Sequence, residues 1–320
     1  MNTILFGVFL LLGATVSGFK RVQHSRVTGR LVSQVQMSSA DLNVFLETQV
    51  ASAKDLRISV DNTVAKAKGN VKRGEVLYSL PIGNCFDRTT ALSVLSDANP
   101  KFKSTQLRTG DLGLLALYLL HEKKLGTDSK FAPYIDVLPQ ECPGILSWSD
   151  EQIVELIQST TRDVGRQLAA VKEDYRTISA ILALPDSKGL EISMEEFKWA
   201  LGTVKDKHIY VENEVLLVPG IDFMPHDPVS AAEPVMGSAG MWGGKIVKAI
   251  SDRDYTSGDT VFTSFGLKNS AECVEDHGFV PVIPIGDSSC EFVVRVNGEF
   301  ESEWDKYWED KVVSMESAGE

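Results

Sequence analysis

Apolar positions at helix and strand spacings divide the chain into strands, a helical middle and strands again. A short helix is expected within residues 41–60, with Asp41 as its N-cap. Residues 75–81 (EVLYSLP) predict a strand. Asp111 is expected to cap a helix that ends at Gly126, and its apolar residues nearly surround it, which predicts a buried helix.

Two capping boxes predict the helices of the middle region. Ser149 with Gln152 opens a helical region over 150–184, and Ser193 with Glu196 opens a second helix. Short β-branched runs separated by Gly, Pro and Asp follow: VLLVP, GKIVKAIS, DTVFTSF and, near the end, CEFVVRV. This order favours an α+β fold with a helical insertion over regular βαβ alternation.

The charge is unevenly distributed along the 320 residues, whose net charge is −12. Residues 1–40 contain no Asp or Glu and four of the 32 Lys and Arg residues. The remainder therefore carries 28 basic against 44 acidic residues, a charge of −16. Such a body disfavours nucleic-acid binding and favours basic segments of protein as partners.

The first forty residues indicate a targeting sequence. Residues 1–18 contain an apolar run at 4–12 (ILFGVFLLL) followed by small residues, as in a signal peptide, and the run is too short to span a bilayer. Residues 19–40 are rich in Ser, Thr, Val and Arg, as in a transit peptide. Together they resemble the bipartite plastid presequence of algae with extra plastid membranes, and no membrane segment is expected in the mature form. Secretion is the alternative.

The cysteines favour a reducing compartment. Cys85, Cys142, Cys273 and Cys290 form no C-x-x-C pair, and the chain has no Asn-x-Ser/Thr sequon. Two disulfides remain an alternative. A zinc site is not expected, because the Cys and His residues lack ligand spacing.

Five ordered segments resemble the SET-domain methyltransferases, in the branch named for Rubisco large-subunit lysine methyltransferase. They are residues 71–81, 115–156, 197–210, 218–226 and 260–281, so the resemblance covers about residues 50–285. It implies an α+β SET domain, with small β-sheets, a knotted C-terminal crossing and a helical insertion.

The resemblance also implies a domain organisation. The SET domain is expected at 41–285, with its helical insert at about 90–195. Residues 286–320 are expected to form a strand and an acidic aromatic helix, in place of a full substrate-binding domain.

The resemblance implies methyl transfer from S-adenosylmethionine to a lysine nitrogen of a protein. The family's cofactor-binding Arg falls on Lys207, and its Asn-His pair falls on Pro225 and His226. The family's catalytic Tyr falls on Phe265, and a second supporting Tyr falls on His277. The family's G-x-G loop falls near Asn62 and Thr63, where the chain has no glycine.

These replacements predict a SET-domain protein with weak or lost catalysis that binds a plastid protein. The alternative is an active methyltransferase, for lysine or another nitrogen, with a rearranged site. In that alternative His277 is a proton acceptor, whereas otherwise it fills the space of a tyrosine. Lys207 either pairs with a carboxylate of a ligand or is a solvated lysine at a helix end.

Overall fold

The computed structural model describes residues 39–103, 107–159, 164–182, 191–227, 231–238, 244–264 and 270–278. Within them lie the α-helices α1 Ser39–Gln49, α2 Arg88–Ala98, α3 Gly110–Leu125, α4 Ala132–Ile135, α5 Asp150–Ser159, α6 Val164–Leu182, α7 Met194–Lys207 and α8 Ser270–His277. The strands there are β1 Ile58–Asp61, β2 Val64–Ala67, β3 Val76–Pro81, β4 Ile209–Val211, β5 Glu214–Leu216, β6 Glu233–Ser238 and β7 Lys245–Ile250.

The strands form small antiparallel sheets, as the sequence predicts. β1 pairs with β2, β4 pairs with β5, and β7 lies between β3 and β6. Two predicted strands, EVLYSLP and GKIVKAIS, are β3 and β7. The DTVFTSF run instead makes isolated bridges at Thr260 and Thr263, and CEFVVRV lies outside the described residues.

Helix α3 is buried, and a carboxylate from α6 holds the two residues that precede it. Leu114 to Leu120 are all buried, as the apolar pattern predicts. The expected cap, Asp111, lies instead in the first turn, because the helix begins at Gly110. Asp174 of α6 accepts hydrogen bonds from the backbone N–H groups of Arg108 and Thr109 at 2.7 and 2.8 Å. A carboxylate about 65 residues away thus fixes the backbone directly before the first turn of α3.

Both predicted capping boxes are present. Ser149 N–H donates to Gln152 Oε1 at 2.9 Å, and Gln152 N–H donates to Ser149 Oγ at 3.3 Å. Ser193 and Glu196 make the same reciprocal pair at the start of α7. The predicted helical region at 150–184 contains two helices, α5 and α6.

Helix α1 starts earlier than the sequence suggested. It begins at Ser39, so Asp41 lies in its first turn and not at the N-cap. A carboxylate in the first turn still favours the helix through the helix dipole.

The core joins the small sheets to the central helices. α3 packs against α2 and α7. An aromatic cluster lies beside it, in which the Phe86 ring is 4.9 Å from that of Tyr118 and 4.4 Å from that of Phe131. Across the described part of the chain, no helix is long and apolar enough to cross a bilayer.

Candidate functional site

Four of the five residues that the resemblance singles out lie in described parts of the chain. Lys207 is the last residue of α7, and His277 is the last residue of α8. Pro225 and His226 follow β5 in the segment that leads towards β6. Phe265, the position of the family's catalytic tyrosine, lies outside the described residues.

Helix α7 approaches its neighbours closely because it contains a glycine. A Cβ atom on Gly202 would lie 2.8 Å from the Cys142 sulfur and 2.8 Å from the Pro143 carbonyl oxygen. These distances are too short for a side chain, so only glycine lets the helix lie on this segment. The helix ends when His208, in extended conformation, donates its N–H to the Val204 carbonyl.

Helix α8 is held against α7 by a second close approach. Gly144 has a φ of +67°, and a Cβ on it would lie 3.2 Å from the backbone carbonyl oxygens of Glu275 and Asp276. The turn Gly144–Ser147 therefore supports the last turn of α8. This contact places His277 beside the end of α7.

One carboxylate joins two of the altered positions. Asp206 Oδ2 lies 3.2 Å from the Lys207 ammonium, and Asp206 Oδ1 lies 3.2 Å from His277 Nδ1. The His277 side chain is 1 % exposed, and those of Asp206 and Lys207 are about one fifth exposed. Lys207 and His277, the residues at which the resemblance places the family's Arg and second Tyr, thus share a mostly buried acid, although 70 residues separate them.

The charge of this acid is stabilised by its two partners. Burial acts to raise the pKa of Asp206, but the hydrogen bond with His277 and the positive charge of Lys207 outweigh it. The pKa therefore lies below its usual range. Because Asp206 is ionised at neutral pH, its carboxylate accepts the hydrogen bond that His277 Nδ1 donates.

A second buried acid lies close to Lys207. Asp222 Oδ2 accepts a hydrogen bond from the Tyr134 hydroxyl at 2.5 Å, and Oδ1 accepts one from Gly220 N–H at 2.9 Å. Burial raises the pKa of Asp222 to about 7, although the Tyr134 hydrogen bond and the Lys207 charge act to lower it. Asp222 therefore changes charge near neutral pH.

Pro225 and His226 lie beside the chain segment that leads to Phe265. The Pro225 carbonyl accepts a hydrogen bond from Thr263 N–H at 2.9 Å, and His226 forms a parallel bridge with Thr263. Asp227 N–H donates to the Thr263 carbonyl at 3.0 Å. Thr263 is buried, and its hydroxyl has no hydrogen-bond partner among the described residues. The Pro225 carbonyl oxygen is thus already hydrogen-bonded within the protein.

The loop where the family has glycines keeps a left-handed backbone. Asn62 and Thr63 connect β1 to β2 and have φ values of 48° and 62°. Positive φ at both central residues is the geometry of a type I′ hairpin turn. Asn tolerates this conformation, but a β-branched Thr rarely adopts it. Gly69 lies beyond β2 and takes no part in the turn.

The described residues contain neither a candidate metal site nor a disulfide. They contain no group of three or more His, Cys, Asp or Glu side chains that could hold a metal ion. Cys85, Cys142 and Cys273 form no disulfide with one another, and Cys290 lies outside the described part of the chain. Burial raises the pKa of the Cys85 thiol and raises that of Cys142 to about 11, so neither is a reactive thiolate.

Sequence reasoning missed Asp206 and Tyr134. Asp206 had a signal, because an acid in the last turn of a helix opposes the helix dipole and therefore needs a specific partner. Its partner His277 is 71 residues away, which no local pattern shows. Tyr134 had no signal of its own.

Several known proteins are similar to this chain in sequence. No family model matches it. The chloroplastic [fructose-bisphosphate aldolase]-lysine N-methyltransferase of Arabidopsis thaliana is 28 % identical over 184 residues, which are 53 % of this chain and 37 % of that protein. The chloroplastic Rubisco large subunit N-methyltransferase of Nicotiana tabacum is 27 % identical over 219 residues, 64 % of this chain and 43 % of that protein. SET domain-containing protein 4 of Mus musculus is 26 % identical over 184 residues, 51 % of this chain and 40 % of that protein.

Solved structures are similar in fold. The SET domain of LSMT bound to methyllysine and AdoHcy matches with a TM-score of 0.64 and 19 % identity, over 84 % of this chain and 62 % of that one. Rubisco LSMT bound to AdoMet matches with a TM-score of 0.61 and 20 % identity, over 76 % of this chain and 56 % of that one.

The fold is therefore that of the LSMT SET domain, and the resemblance to the Rubisco large-subunit methyltransferase branch is confirmed in sequence and in fold. The chain spans about two fifths of the length of the curated relatives it matches.

Proposed function

We propose that this chain is a SET-fold relative of the protein-lysine methyltransferases in which methyl transfer is weak or lost, and that it acts by binding a protein partner. One observation carries the proposal: Lys207 and His277 are both bonded to the buried carboxylate of Asp206. The two positions that would bind cofactor and support catalysis are thus both engaged with Asp206.

The cofactor that the resemblance assigns is S-adenosylmethionine, since solved structures of this fold hold AdoMet or AdoHcy. When bound, it supplies a methyl group already activated by a sulfonium. The residues at the positions that the resemblance assigns to cofactor binding do not provide the contacts expected with S-adenosylmethionine. The Lys207 ammonium forms an ion pair with Asp206. Pro225 has neither a side-chain amide nor a backbone N–H. Asn62 and Thr63 bring side chains to a turn where the family has glycines.

Losing several cofactor contacts together costs a large amount of binding free energy. A hydrogen bond to a charged group contributes about 1.5–3 kcal/mol. Losing one therefore weakens binding or rate by about tenfold to a hundredfold. Several losses in one cleft multiply where they are independent, although neighbouring contacts do not add simply. A cofactor that relied on all of them would bind this chain very weakly.

The alternative function is that of an active methyltransferase with a rearranged site, and one specific observation favours it. Asp206 and His277 form a buried carboxylate–imidazole pair, the arrangement that orients a histidine for proton transfer. A lysine must lose its ammonium proton before its nitrogen attacks a methyl group. In this mechanism Nε2 of His277 takes that proton while Asp206 holds Nδ1–H.

We propose a plastid location and a protein partner with a basic segment. The plant relatives are chloroplastic by name, and they act on aldolase and on Rubisco. The charge of −16 on residues 41–320 complements a basic peptide. Residues 1–18 and 19–40 would then act in turn as signal and transit peptides, ahead of a SET domain at 41–285 with an insert at about 90–195 and a C-terminal strand and helix at 286–320.

Localisation is tested by fusing residues 1–40 to a fluorescent protein in an alga that has extra plastid membranes. The fusion is expected in the plastid, and deletion of residues 1–18 is expected to leave it in the cytosol. Secretion of the intact fusion would contradict the plastid proposal.

Catalysis is tested by a radiolabelled methyl-transfer assay on plastid extract with the full chain. We expect no label above background, and His277→Ala is expected to change nothing. Label above background that is lost in His277→Ala would contradict our proposal and support the active methyltransferase with a rearranged site.

A further inference from the structure

A cavity of about 250 Å³ lies between the start of α3, α6, α7 and α8. Lys207, Asp206 and His277 are not among the residues that line it, so it is separate from the candidate site. Most of its wall is apolar: Leu112, Ile145, Leu146, Leu168, Val171 and Leu201. These side chains come from four separate segments of the chain, so the cavity depends on the tertiary fold.

One side of the cavity is polar and internally paired. The Lys205 ammonium lies 3.0 Å from Asp276 Oδ1 and 3.5 Å from Gln167 Oε1. Because Asp276 neutralises Lys205, this side carries no net charge and does not by itself call for an ion.

A cationic side chain lies at the rim of the cavity. Arg108 lines the cavity and is exposed, and its guanidinium has no hydrogen-bond or ion-pair partner within the described part of the chain. Its backbone N–H is fixed by the buried Asp174, so the base of the side chain is held in place. In a chain with a net charge of −12, the Arg108 guanidinium is a positively charged group at the entrance to an apolar cavity.

We propose that this cavity binds a small monocarboxylate with an apolar body, whose carboxylate contacts Arg108 and whose body packs against Leu168, Val171 and Leu201. A guanidinium binds a carboxylate through two parallel hydrogen bonds, which orient the ligand as well as hold it. The apolar wall excludes a ligand that is polar throughout, because its buried polar groups would lose their hydrogen bonds to water.

The volume supports a ligand of this size. An apolar cavity of about 150 Å³ accommodates benzene. The 250 Å³ here therefore has room for an apolar body somewhat larger than a benzene ring. The ligand would also contact Lys205 and Asp276, whose chain neighbours Asp206 and His277 belong to the candidate site. It would thus bind next to the contact between α7 and α8.

The test is calorimetry of the full 320-residue chain with octanoate, and with octanol and octylamine as probes of the same length. A ligand of about ten heavy atoms is expected to bind with a Kd of roughly 1 mM. Octylamine is expected to bind at least about tenfold more weakly, because Arg108 repels its ammonium. No heat from octanoate, or equal affinity for octanoate and octylamine, overturns the proposal.

Two variants locate the binding. Leu168→Trp fills the cavity and is expected to abolish binding of octanoate and octanol. Arg108→Gln changes an exposed side chain and is expected to weaken octanoate about tenfold while leaving octanol unchanged. Arg176→Gln, an exposed α6 arginine that does not line the cavity, is the matched control and is expected to change nothing.

The exposed variant keeps the test decisive if Leu168→Trp does not fold. Octanoate affinity that Arg108→Gln leaves unchanged overturns the proposed carboxylate contact. No cofactor takes part in the assay, so its outcome is independent of the proposed loss of methyl transfer.

Discussion

Replacing Asp206 with Asn removes the charge that joins Lys207 to His277. The Asn side chain keeps an oxygen that accepts from His277 Nδ1–H, so one hydrogen bond survives in weakened form. The ion pair with Lys207 is lost, and both side chains there are about one fifth exposed. We therefore expect Asp206→Asn to lower the free energy of unfolding by about 1–2 kcal/mol. Asp206→Ala also leaves the buried His277 nitrogen without an acceptor, which raises the loss to about 2–4 kcal/mol.

The loss should depend on pH in a definite direction. The pKa of Asp206 in the folded protein is below its usual range, so ionisation stabilises the fold. That contribution is fully present above the pKa of an unfolded Asp, about 3.9, and is lost as pH falls through the lower folded value. The difference between wild type and Asp206→Asn should thus be constant at neutral pH and shrink below about pH 4.

Urea unfolding followed by circular dichroism measures both effects. Asp61→Asn is the matched control, since Asp61 is an exposed strand residue, and we expect a change within about 0.5 kcal/mol. Asp206→Asn as stable as wild type, or a loss no greater than that of Asp61→Asn, would refute the view that Asp206 holds the cluster together.

Other parts of the structure give further predictions. Thr63→Gly should raise the free energy of unfolding by about 1 kcal/mol, because Gly adopts the positive φ without strain, whereas Asn213→Gly in the β4–β5 turn should gain less. Asp222 has a folded pKa of about 7, above its unfolded value, so wild-type stability should fall as pH rises from 4 to 7, by up to about 1.4 kcal/mol per pH unit, and Asp222→Asn should remove that slope in urea titrations. The double variant Phe265→Tyr with Pro225→Asn should recover part of the cofactor binding in calorimetry, and a complete failure would assign the loss to the turn at Thr63.

Elements with strong local patterns were predictable from sequence. The capping boxes at Ser149 and Ser193 and the buried α3 follow from residues within a few positions of each other. The N-cap of α3 did not, because Asp174 reaches it from another helix. A local sequence pattern cannot show a hydrogen-bond partner that lies about 65 residues away.

The candidate site was likewise predictable from the sequence only in part. Lys207, Pro225 and His277 are predicted site positions because the flanking segments resemble a known family. That two of them share Asp206 could not, since the contact arises only when α8 packs on Gly144 and brings His277 to the end of α7. The pKa of Asp222 likewise depends on burial, which its sequence neighbours do not determine.

The central claim of the proposed function is that this chain binds S-adenosylmethionine weakly. Isothermal titration calorimetry of the full 320-residue chain with S-adenosylmethionine and with its demethylated product tests this most directly. The account predicts no heat above dilution with ligand at up to roughly a millimolar, which corresponds to a binding free energy weaker than about −4 kcal/mol. A saturable isotherm with a micromolar Kd that Lys207→Met abolishes would contradict it.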